Sequence, residues 1–107
     1  MERKLSPAEL SLMQMILSAN KEGEQYLPAL SDCLVIEMND GGMGGLVFQS
    51  NNTERKFGKE LSSVEFDDQD GVRVFASVNL DQYGKLFELD IWKTDFSALL
   101  HMPGDDQ

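Results

Sequence analysis

One cysteine, one histidine, one tryptophan and three prolines are all that the 107 residues contain of these types. A lone cysteine, Cys33, excludes an intrachain disulfide, which fits a reducing compartment. It opens the apolar run CLVIEM and reads as a small buried hydrophobe. One Cys and one His do not make a zinc ligand set. His101 stands near the end of the chain, so no base is placed for a serine or cysteine nucleophile. No apolar run approaches the roughly 18 residues of a transmembrane helix. The opening MERKLSPAEL has no apolar stretch before a small-residue cleavage site and does not read as a signal peptide. The expected location is the cytoplasm, away from membranes.

Basic residues are scarce as well. There are 9 Lys and Arg against 19 Asp and Glu, a net charge of −10. Residues 1–59 hold 8 acids and 6 bases, and residues 60–107 hold 11 acids and 3 bases. A surface this negative repels nucleic acid and anionic lipid and attracts basic proteins. The same charge also serves solubility. The length fits one domain, 1–107, which buries roughly two thirds of its unfolded surface in one core.

Ser6-Pro7-Ala8-Glu9 is a helix start, with a capping serine, proline at the first helical position and a glutamate to complete the box. Leu10, Met13, Ile16 and Leu17 follow at helical spacing, predicting a helix over about 7–20, with Met13 and Met15 as core filler. Residues 24–32 read as a short helical turn that lays Tyr26 and Leu27 on the core. From Cys33 the pattern turns to β. CLVIEM (33–38) is a strand with Leu34, Ile36 and Met38 on one face and Val35 and Glu37 on the other. LVFQS (46–50) returns as its hairpin partner across a glycine-rich turn. SSVEF (62–66) is the third strand. Val72, Val74, Ala76, Val78 and Leu80 alternate with Arg73, Phe75, Ser77 and Asn79 in the fourth. Phe87, Leu89 and Ile91 alternate with Glu88, Asp90 and Trp92 in the fifth, and Thr94 caps a last turn through Phe96, Leu99 and Leu100. Residues 102–107 read as a loose tail. The expected fold is α+β, an N-terminal helix packed on an antiparallel sheet of about five strands.

Four glycines in NDGGMGG (39–45) invite comparison with a phosphate-binding loop, but β-like sequence flanks them and Asp40 opposes an anion. A glycine-rich hairpin fits better. The turn DDQDG (67–71) gathers three carboxylates without the spacing of a calcium loop, and a solvated turn is the simpler reading. Arg55, Lys56 and Lys59 form a locally basic patch that runs against the global charge. Glu37, Glu88 and Asp90 fall opposite the apolar residues of their strands. On adjacent strands they share a face with Arg73, Phe75 and Trp92. A solvated face accounts for this. A protein-binding surface needs the same acids with an aromatic anchor, and acid–base catalysis would further require a cleft. No cofactor or metal site is expected.

The segments IEMNDGGMGGLVF (36–48) and GKLFELDIWKTDFSALL (84–100) resemble a family of short uncharacterised bacterial proteins, a resemblance that brings no activity with it. In size and acidity the whole chain is similar to immunity proteins of bacterial toxin systems, including contact-dependent inhibition. That likeness implies a cytoplasmic protein that neutralises a basic nuclease-type toxin by covering its active site. The expected charge carriers are Glu37, Asp67, Asp68, Asp70, Glu88 and Asp90, with Trp92 as anchor. The other expectation is a small ligand-binding protein or enzyme that uses the glycine-rich hairpin and the carboxylate face. A third is self-association through an exposed edge strand.

Overall fold

Ser6 caps the first helix as its sequence predicts. Its hydroxyl accepts from the Glu9 N–H at 3.2 Å, and the Glu9 carboxylate accepts from the Ser6 N–H at 2.9 Å. The computed structural model describes residues 1–103, so the expected tail at 104–107 lies outside the described residues. The helix α1 spans Pro7–Ser18. Just ahead of it lies a strand the sequence reading did not anticipate, β1 (Arg3–Lys4), too short for any period to show. Its Arg3 forks onto Glu9 at 2.7 and 2.8 Å and reaches Glu37 at 3.3 Å, tying the helix start to the sheet edge. Burial alone would raise the Glu9 pKa, but Arg3 and the Ser6 N–H hold it below the ordinary glutamate value.

A 3-10 helix over Lys21–Asp32 follows, longer than the expected turn. It is folded back so tightly that a Cβ on Gly23 would stand 2.3 Å from the Leu17 carbonyl oxygen. Its Leu30 is buried, and Tyr26 and Leu27 pack on the core as expected. The remaining strands are β2 (Leu34–Glu37), β3 (Leu46–Phe48), β4 (Phe57–Asp67), β5 (Arg73–Asp81) and β6 (Leu86–Lys93). The fold is α+β, with six antiparallel strands in the order β1-β2-β3-β6-β5-β4.

Both helices lie on one face of this sheet. Leu12, Met13, Ile16 and Leu17 meet Val74, Ala76, Val78, Leu89 and Ile91 there, all buried. The alternation in β5 and β6 therefore reads correctly. Met15 does not join Met13 in the core; it is 45% exposed. Met102 packs on the core, so the described start of the expected tail is anchored.

The phase of β2 is opposite to expectation. Val35 pairs with buried Phe48 and is itself buried, while Leu34 and Ile36 point to the uncovered face at 38% and 37% exposure. Counting apolar residues favoured the wrong side. Val35 joins the buried cluster beside Phe48, and Glu37, on the same side, stays exposed at the sheet edge and pairs with Arg3 of β1. A one-residue change of phase moves every side chain of a strand to the other face. Val35→Ala is therefore expected to cost about 2 kcal/mol of stability, and Ile36→Ala less than about 1 kcal/mol. Urea unfolding of the two variants checks this, and equal losses would restore the other phase.

Candidate functional site

The second face of the sheet has no helix over it. Register places its side chains in rows. Glu65 faces Phe75, and Phe75 faces Trp92; Asp67 faces Arg73; Ser77 faces Asp90; Asn79 faces Glu88. Glu88 and Asp90 are thus brought together with Asp67, Trp92 and Phe75. Glu37 is not, because it pairs with buried Leu46 and lies on the helix side. The expectation that Glu37 shares a face with Glu88 and Asp90 fails with the phase of β2. No single pocket holds Glu37 and Asp90 across the thickness of the sheet.

Phe75 and Trp92 stack with ring centroids 5.5 Å apart and planes 23° from parallel. Phe96 joins them from the turn after β6, its centroid 6.1 Å from Trp92 and its ring tilted by 51°. The three are 39%, 44% and 70% exposed. Phe96 has φ of 64°, the left-handed region that a bulky residue rarely enters. Such strain persists only where neighbours overdetermine it. Here the turn is pinned on both sides. The Thr94 N–H donates to the Arg73 carbonyl at 3.0 Å, and the Asp95 carboxylate accepts from the Ser97 N–H at 3.0 Å and its hydroxyl at 2.6 Å.

The stronger pin is Lys93. It continues the buried phase of Leu89 and Ile91 and is fully buried. Its ammonium donates to Asp70 at 2.7 Å and to the Ala98 carbonyl at 3.2 Å, and lies 2.9 Å from Asp68. Asp68 in turn accepts from the N–H groups of Leu100 at 2.8 Å and His101 at 3.1 Å. Asp67 and Asp70 of the acidic turn stay exposed, as a solvated turn would have them, but Asp68 is withdrawn from solvent. The turn closes around an internal lysine, which supplies the cation that its carboxylates need. Asp68 is only 5% exposed and cannot carry charge to a partner, and Asp70 is held in the same clamp. Burial favours the neutral carboxyl, but the Leu100 N–H, Lys93 and the Gln69 N–H outweigh it and hold the Asp68 pKa at about 2. Burial would likewise lower the Lys93 pKa; Asp70 and Asp68 reverse this and raise it above the ordinary lysine value.

The other two sequence features are also built into the fold. Asp40 folds the glycine-rich turn on itself, accepting from the N–H groups of Met43 at 3.1 Å and Gly45 at 2.9 Å. The Gly42 carbonyl accepts from the Leu99 N–H at 3.1 Å, so the turn is docked on the segment after β6. Arg55 is turned inward, donating to the Leu86 carbonyl at 3.1 Å and to the Phe48 carbonyl, 4.9 Å over the Phe87 ring. Lys59 pairs with Glu22 at 3.0 Å. A depression of about 400 Å³ beside the clamp is lined by Phe66, Gln69, His101 and Pro103 with Asp67 and Asp68. Its two acids are already paired, with Arg73 and Lys93.

Sequence reasoning missed Lys93, although a lysine in phase with Leu89 and Ile91, downstream of an acidic turn, was a usable signal. It also missed Phe96, whose backbone conformation no sequence pattern announces.

The family described as a domain of unknown function (DUF6984) matches residues 2–103. The chain belongs to this family. No curated protein and no solved structure matched it. The DUF6984 match spans the clamp, the aromatic rings and both segments that resemble uncharacterised bacterial proteins. It brings no link to immunity proteins, a likeness that rests on size and acidity alone. Among the described residues, no helix is long and apolar enough to cross a membrane.

The clamp has a pH signature. In the unfolded chain Asp68 titrates near 3.8, and in the folded protein at about 2. A depressed carboxyl contributes stability that is complete above the unfolded value and is lost as pH falls through the folded one. Stability is therefore expected to drop between about pH 4 and pH 2. Asp68→Ala is expected to lose about 3 kcal/mol near neutrality, since it orphans a buried lysine, and to flatten that acid slope. Unfolding free energies measured across pH test both, and an unchanged slope in the variant would contradict the assignment.

Proposed function

We propose that this protein is a non-enzymatic binding module of the immunity type, covering the active site of a basic nuclease-type toxin with its uncovered sheet face. The observation that carries the reading is that face itself. Exposed carboxylates from Glu65, Asp67 and Asp90, with half-buried Glu88 on the same face, flank exposed, stacked aromatic rings. Monomeric proteins rarely leave such rings uncovered without use for them. Aromatic anchors within a charged rim are the usual anatomy of a protein interface.

The mechanism is electrostatic. A nuclease cleft is built from cations to hold phosphates, and an acidic face competes for the same cations. Long-range attraction speeds the encounter, while Trp92, Phe75 and Phe96 supply the short-range contact. Of the residues expected from sequence, Asp67, Glu88, Asp90 and Trp92 stay in this proposal, and Glu65, Phe75 and Phe96 join them. Glu37, Asp68 and Asp70 leave it. Less supports the ligand-binding alternative: Asp40 closes the glycine turn on itself, and Glu37 lies on the opposite face from Glu88 and Asp90.

Co-expression of the tagged protein with the C-terminal domain encoded immediately upstream in its genome tests the proposal. The two are expected to elute together, to rescue growth, and to separate as salt rises. The pair Glu65→Lys and Asp90→Lys is expected to weaken the complex by about tenfold or more per residue without unfolding the protein. A complex indifferent to both salt and charge reversal would overturn the mechanism. Absence of complex and rescue would overturn the function.

A further inference from the structure

The geometry points to arginine side chains of the partner as what the Phe75–Trp92–Phe96 cluster recognises, with Asp90 and Glu65 as their ionic partners. This rests on the reading of the face as a docking surface for a basic protein, and it specifies the chemistry of the contact. The rings do not form a flat plate. Phe75 lies nearly parallel to Trp92, while Phe96 is tilted by 51° against it. A planar guanidinium can stack on such a surface with its edge turned toward the rim.

The rim already accommodates that group. Glu65 and Asp67 hold the guanidinium of Arg73 at 3.2 and 2.7 Å. Two carboxylates on one cation leave a net negative charge beside Phe75. Asp90 lies two residues from Trp92 on the same strand face, exposed and with no internal ion pair among the described residues. A purely apolar partner would bury these carboxylates uncompensated, at a cost that exceeds the gain from three rings. A lysine answers the charge but is more strongly hydrated and does not stack in plane. Arginine does both. Phe96 is the natural contact point, since its left-handed turn presents it furthest into solvent of the three.

Trp92 is the sole tryptophan, so its fluorescence reports on the cluster directly. The test titrates the whole protein with charge-matched oligoarginine and oligolysine peptides at low salt. Oligoarginine is expected to change Trp92 emission to saturation and to bind about tenfold more tightly than oligolysine. Phe96→Ala, Phe75→Ala and Asp90→Asn each keep the reporter and are expected to weaken oligoarginine binding several-fold. Thermal melts confirm folding; Phe96, at 70% exposure, contributes little to it. Equal affinity for the two peptides would overturn the inference while leaving a basic partner in place. So would binding that ignores Phe96→Ala. No emission change with either peptide would overturn it too, and the co-elution experiment judges the docking function separately.

Discussion

Everything at one end of this protein is arranged around the buried ammonium of Lys93. A lysine at zero exposure survives only if its charge is answered on several sides. Here Asp68, Asp70 and the Ala98 carbonyl answer it, and they come from the turn before β5 and the segment after β6. The ion cluster is thus a three-way tie between pieces of chain that share no hydrogen-bond ladder. Removing Asp68 takes away the fully buried counter-charge of the ammonium, which is why the tie is strong even though a buried pair adds little over an apolar replacement.

The tie has a geometric consequence on the open face. Asp68 fixes the amides of Leu100 and His101, Lys93 fixes the Ala98 carbonyl, and the Arg73 carbonyl fixes Thr94. The few residues between have one path left, and it passes through a left-handed Phe96. A conformation of that kind costs about 1 kcal/mol or more. The clamp bears that cost, and the result is an aromatic ring held out beside Trp92. The interior electrostatics and the proposed docking surface are two sides of one arrangement.

Much of the framework was legible from the amino acids. The capping box of Ser6 and Glu9, and the alternation of Val74, Ala76 and Val78, are local signals that the tertiary structure only reinforces. The phase of β2 was not legible, because CLVIEM has apolar residues on both faces and only the position of α1 decides which one is covered. Charge was the least legible property. Asp68 and Arg55 look like surface groups in a sequence, yet both are turned into the fold, while Asp70 and Lys59 stay at the surface and are ion-paired there. Composition counts charges but does not say which of them meet. The net charge of −10 remains, but its outward-facing part rests on fewer residues than the acidic turn implied. The open face became recognisable only once register set Glu65, Phe75 and Trp92 in one row.

The Lys93 charge holds the segment after β6 in place through Asp68 and the Ala98 carbonyl. Amide hydrogen exchange resolved by residue, in the wild type and in Lys93→Met, measures this directly. Fast exchange is expected at Leu99, Leu100 and His101 in the variant, with Ala76 and Val78 in the β5 ladder still protected. Unchanged protection at Leu100 and His101 in Lys93→Met would contradict it.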